Sequence, residues 1–119
     1  MNNDAFWEKN VLRDDDIIIA STIKSGTTWL QQIVAQIVFA GEFEGKLNET
    51  SFWIDTLRDY SEAEMLTNIN KQTHRRFFKT HSPANVVLKN INNRAKNIFI
   101  TRDFRDVVWS FYNHFVNAK

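Results

Sequence analysis

Four consecutive apolar residues, Ile17-Ile18-Ile19-Ala20, lie between Asp14-Asp15-Asp16 and the loop Lys24-Ser25-Gly26-Thr27-Thr28. A run that is apolar at successive positions is covered on both faces, the pattern of an interior strand in a parallel sheet. After the loop, Trp29, Leu30, Ile33, Val34, Ile37 and Val38 recur at helical spacing, and Gly41 marks the end of that helix. Gln31, Gln32 and Gln36 fall on its other side. A strand turning sharply into a helix builds an anion cradle. The first N–H groups of the helix have no intrahelical partner, and the peptide dipoles concentrate positive charge there. Lys24 adds a full charge and Gly26 lets the backbone come close. The loop is not a Walker A sequence, because the Lys precedes the only Gly nearby. A phosphate group is its natural occupant.

Further along, residues 42–50 read as a loop, and 52–58 and 61–71 as helices, the second opened by the capping box Ser61-Glu62-Ala63-Glu64. Residues 76–80 form a second strand that Ser82-Pro83 breaks, and a short irregular or helical piece runs to Asn93. Residues 97–101 form a third strand. A helix over 106–116 follows, with Val107, Val108, Phe111, Phe115 and Val116 as its core face. Strands alternating with helices predict an α/β fold with a parallel sheet, in which ligands bind beyond the carboxyl ends of the strands. Lys24, His81 and Arg102 each follow a predicted strand, so three chain segments are expected to converge on one edge of the sheet.

The 119 residues predict one domain, and 43% hydrophobic and 13% aromatic residues exclude disorder. A net charge of +1 gives no global pull toward nucleic acid or membrane. Lys71, His74, Arg75, Arg76 and Lys79 form a local basic cluster that reads for the most part as a solvated helix end. The sequence has no cysteine, hence no disulfides or thiolate metal sites, which fits a reducing compartment. The amino terminus lacks a cationic then apolar leader, and no apolar run approaches the ~20 residues of a spanning helix. These features predict a soluble, cytoplasmic protein.

Three segments carry a family resemblance. Lys24-Ser25-Gly26-Thr27-Thr28-Trp29 after an apolar strand resembles the 5′-phosphosulfate loop of the sulfotransferases, which move a sulfuryl group from 3′-phosphoadenosine 5′-phosphosulfate (PAPS) to an acceptor. Residues 76–81, Arg-Phe-Phe-Lys-Thr-His, resemble the segment with the family's catalytic His, and residues 102–112 its 3′-phosphate segment. The resemblance implies a P-loop-like three-layer fold and assigns Lys24 to the leaving phosphate and His81 to the acceptor's proton. An imidazole suits the second task because it titrates near neutrality. Ser25, Gly26, Thr27 and Thr28 are implied ligands of the 5′-phosphate and sulfate oxygens. Trp29 would offer adenine an aromatic face, although helical spacing by itself reads it as core. Arg102 and Ser110 match the 3′-phosphate ligands, a planar guanidinium suiting phosphate oxygens. Ser110 is further implied to restrain Lys24 until acceptor binds. His74 and His114 have no such support and read as structural.

Ile23 stands where the family usually has Pro, which predicts a less rigid loop, and Asp103 replaces a common Asn. The family's chains continue to a Gly-rich segment over the 3′-phosphate that nothing here matches, so residues 1–119 are expected to be the N-terminal half of such a domain, incomplete at the C-terminus. The implied acceptor is a small alcohol, phenol or amine, with Phe6, Trp7, Phe52 and Trp53 as pocket or core residues. No nucleic acid, membrane or metal partner is expected. One competing reading is a nucleotide-binding remnant without turnover. The other, a nucleotide kinase with a variant loop, would require a Gly-rich loop and acidic Mg²⁺ ligands at a strand end.

Overall fold

The computed structural model describes residues 5–9, 11–57, 60–91 and 94–118. Three strands, β1 (Ile17–Ser21), β2 (Phe77–Thr80) and β3 (Lys96–Ile100), form one sheet in the order β2-β1-β3 with both pairings parallel. The helices are α1 (Ala5–Glu8), α2 (Thr27–Val38), α3 (Leu47–Thr50), α4 (Glu62–Lys71), α5 (Ala84–Ile91) and α6 (Phe104–Asn117). β1 is central and buried at every position, as its unbroken apolar run requires. Its side chains alternate between two cores. Ile17 and Ile19 join Phe77, Val34 and Ala35 on the α2 side. Ile18 and Ala20 join Phe78, Phe6, Met65, Ile69, Val87 and Ile91 on the face carrying α1, α4 and α5. The result is a three-layer α/β arrangement with a parallel sheet.

At the amino end of the sheet, Asp16 and Arg76 are both fully buried and paired. Arg76 Nε donates to Asp16 Oδ1 at 2.8 Å, and its Nη2 donates to Asp16 Oδ2 and to the Val11 carbonyl. The pair locks the start of β1 to the start of β2. Arg76 is therefore not part of a solvated helix end, and neither is Lys79, which is half-buried with Nζ 4.6 Å from the Trp53 ring centroid. Arg75 does stay on the surface, where it donates to the Asp15 carbonyl.

The helix anticipated over 52–58 does not form in its described part; Arg58 lies outside the described residues. Residues 52–54 instead run alongside β2: Lys79 N–H donates to the Phe52 carbonyl at 2.9 Å and Ile54 N–H to the Lys79 carbonyl at 3.0 Å. Aromatic and β-branched residues suit such pairing, which buries Phe52 and Ile54. The short helix α3 occupies the expected loop. α4 has the anticipated capping box, with Glu64 N–H bound to Ser61 Oγ and Ser61 N–H to Glu64 Oε2. The anticipated piece before the third strand is the helix α5, and Asn93 lies outside the described residues.

Two helical faces differ from their periodicity. α2 buries Thr27, Gln31, Val34 and Ala35, while Trp29 is 67% and Ile37 74% exposed. Gln31 is inside because its amide donates to Ser51 Oγ at 2.8 Å, which satisfies it there. α6 buries no residue, and Val108, Phe111, Phe115 and Val116 remain exposed. It follows the edge strand β3, and no described element lies over its apolar side. Among the described residues, no helix is long and apolar enough to cross a membrane.

Candidate active site

Between β1 and α2 the chain turns through two residues in the left-handed region, Lys24 at φ +58° and Gly26 at φ +94°. Gly26 is the N-cap of α2 and its carbonyl accepts the first helical bond, from Leu30 N–H. The N–H groups of Thr27, Thr28 and Trp29 therefore project from the helix end without intrahelical partners. Ser25 and Thr27 are buried and their hydroxyls are engaged within the loop, Ser25 with Thr22 Oγ1 and Thr27 with Ser21 Oγ. Lys24 is half-exposed and the Thr28 and Trp29 side chains are open to solvent.

β2 delivers His81 to the same edge. Its Nδ1 lies 2.8 Å from the Ser21 carbonyl oxygen at the end of β1. A carbonyl only accepts, so the neutral ring carries its proton on Nδ1 and keeps a free lone pair on Nε2. Burial pushes the imidazole below its ordinary pKa. The Ser21 hydrogen bond opposes that, the Lys79 charge reinforces it, and the Asp55 carboxylate opposes it. Burial likewise lowers Lys79, against Asp55 and with Lys24.

Arg102, just past β3, is exposed and donates from Nη1 to the Lys24 carbonyl at 3.3 Å, so the third strand end also reaches the loop. Lys24, His81 and Arg102 thus share the carboxyl edge of the sheet, where parallel pairing of β1 with both neighbours sends them. Ser110 is half-buried on α6, with no hydrogen bond to Arg102 or the loop among the described residues. Asp103 caps α6 by accepting from Arg105 N–H at 2.9 Å, which gives this departure from the family pattern a local task.

Two cavities adjoin the edge. One of about 310 Å³ is lined by His81, Ile23, Trp53, Asp55 and Pro83. Another, of about 280 Å³, has Thr28, Gln31, Trp53, Tyr60 and Lys79 in its wall. Phe6 is core, Phe52 is buried yet forms part of the wall of the second cavity, and Trp53 lines both cavities. The sequence offers no signal for Asp55, and it places Lys79 in the basic cluster and in the segment that resembles that of the family's catalytic His. Lys79 carried a signal, since it stands on β2 two residues before His81, which follows the strand end. Among the described residues no group of three or more His, Cys, Asp or Glu could hold a metal.

A family model described as the sulfotransferase domain matches residues 14–119. The chain belongs to that family. This sulfotransferase domain is 37% identical over 115 residues to a glycolipid sulfotransferase of Mycobacterium tuberculosis, covering 95% of this chain and 34% of that protein. It is 38% identical over 110 residues to an amine sulfotransferase of Oryctolagus cuniculus, covering 89% and 35%. Among solved structures it is similar to retinol dehydratase in a complex with retinol and PAP, with a TM-score of 0.69 at 22% identity over 92% of this chain and 44% of that one. The likeness to that structure is one of fold. The sulfotransferase domain here spans about a third of the length of the curated relatives it matches.

Proposed function

We propose that this chain carries the nucleotide-gripping and proton-accepting part of a sulfotransferase that moves a sulfuryl group from PAPS to a hydroxyl or amine of a small molecule. The observation that carries the reading is the meeting of Lys24, His81 and Arg102 at one sheet edge, with Arg102 bonded to the Lys24 carbonyl and His81 to the Ser21 carbonyl. The donor set suits a molecule with phosphates at two ends. The first-turn N–H groups and Lys24 would hold the 5′ end, and Arg102 and Ser110 the 3′-phosphate. Trp29, exposed beside the loop, is free to stack on adenine. PAPS supplies an activated sulfuryl group whose bond to a phosphate oxygen breaks as the bond to the acceptor forms. Lys24 neutralises charge on that phosphate oxygen, and His81 Nε2 takes the acceptor's proton. Its lowered pKa keeps the ring neutral and receptive near pH 7. The apolar wall of Ile23, Trp53 and Pro83 beside His81 supports a small, partly apolar acceptor. The cysteine-free sequence supports a cytoplasmic place of action.

The test is calorimetric. Arg102→Ala should weaken binding of 3′,5′-adenosine bisphosphate by ~1.5–3 kcal/mol while leaving 5′-AMP nearly unchanged, since only the former offers the 3′-phosphate. Equal losses for both would remove Arg102 from the role, and no binding of either by the native chain would remove the reading. A second reading, nucleotide binding without turnover, draws on α6, whose residues are all unburied and leave that side of the site open. Binding without acceptor-dependent release of the bisphosphate would favour it.

A further inference from the structure

We propose that Asp55 is a positioning residue for His81, its carboxylate clamping the turn past β2 that presents the imidazole to the cavity. The inference rests on reading His81 as the proton acceptor. One carboxylate gathers four donors. Oδ1 accepts from Thr80 Oγ at 2.6 Å and Ser82 Oγ at 3.0 Å, while Oδ2 accepts from the His81 backbone N–H and from Trp53 Nε1 at 2.9 Å. Three consecutive residues of the turn are thus tied to one side chain.

The placement of Asp55 has a cause. β2 ends at Thr80, so the His81 N–H lies beyond the strand ladder, and a half-buried N–H without an acceptor is costly. The pairing of residues 52–54 with Lys79, anchored by buried Phe52 and Ile54, sets Asp55 at that strand end. The same carboxylate holds Trp53, whose ring meets the imidazole edge-on at 5.4 Å between centroids. His81 is therefore held at three points: its backbone N–H by Asp55, its Nδ1 by the Ser21 carbonyl and its ring by Trp53. An ionised carboxylate only accepts, which suits four donors. An amide in its place turns an NH₂ toward two of them.

The test is NMR of the ¹⁵N-labelled chain, which requires no turnover. In the native chain His81 should be a single Nδ1–H tautomer. Asp55→Asn should convert it to a tautomer mixture and shift its titration midpoint, while His74 and His114 stay unchanged as internal controls. A folded Asp55→Asn chain with an unaltered His81 tautomer and midpoint overturns the proposal. A native His81 protonated on Nε2 instead overturns the proton-acceptor reading, because that nitrogen would have no free lone pair. Should the variant fail to fold, amide exchange in the native chain decides. The His81 N–H should exchange about tenfold or more slowly than an open amide although it lies past the ladder. Exchange at the open rate would overturn the clamp.

Discussion

Gly26 is required for its backbone and not for its small size. A Cβ there would lie 3.4 Å from Ile100 Cδ1, an ordinary contact, but the φ of +94° disfavours any L side chain. Gly26→Ala is expected to cost about 1–2 kcal/mol, read as a lower urea midpoint, and to weaken bisphosphate binding as the first turn of α2 shifts. His81 yields a second expectation. Its folded pKa lies below the ordinary value of about 6.5, so on acidification the unfolded chain takes up the proton first. Stability is therefore fully present above pH ~6.5 and falls as the pH drops through the folded pKa. His81→Gln should flatten that part of a pH–stability profile measured by urea unfolding. An equal slope in both chains would assign the acid sensitivity to other groups.

At the scale of elements, two buried polar connections hold the sheet and its surroundings in register. Asp16 and Arg76 join β1 to β2, and Asp16 Oδ2 also accepts from Arg13 N–H at 2.7 Å. Removing one partner leaves the other buried without compensation. Asp16→Asn is expected to destabilise by ~3–5 kcal/mol, measured by chemical unfolding, whereas a matched apolar replacement of both residues should cost far less. The second connection is the Gln31 amide on Ser51, which draws α2 toward the segment leading into residues 52–54. Together they fix the relation between the loop after β1 and the turn that bears His81.

At the scale of the molecule, apolar cover is uneven. Among the described residues, the face with α1, α4 and α5 carries twelve buried residues in one apolar cluster. The region of α6 carries Phe104, Val108, Trp109, Tyr112, Phe115 and Val116 in contact with solvent, Trp109 at 65% exposure. Together with Ile23, Thr22 and Arg102, the start of α6 borders a cavity of about 480 Å³. Contiguous apolar surface of this kind binds dyes and promotes association. The 119-residue chain should enhance the fluorescence of a hydrophobic probe and self-associate in sedimentation. Replacing Phe104, Trp109 and Phe115 by Ser should reduce both, with little loss of stability because none of the three is buried. Unchanged dye binding in that variant would place the exposed surface elsewhere.

What the sequence determined by itself was local in origin. The apolar run of β1, the glycine-bearing loop and the capping box of α4 each arise from neighbouring residues, and each is found where those residues stand. Parallel strands followed by Lys24, His81 and Arg102 then imply a shared edge, since every carboxyl end of such a sheet points the same way. The tertiary structure alone decided which side of each helix meets a neighbour. Periodicity defines an apolar stripe on α2 and α6, but only the packing partners determine that Gln31 is inside while Trp29 and, on α6, Val108, Phe111, Phe115 and Val116 remain open. It also decided the pairings between distant segments: Asp16 with Arg76, residues 52–54 with β2, and through them Asp55 with His81. No local pattern encodes these contacts, because hydrogen bonds and ion pairs join groups that come within reach only after the sheet has formed.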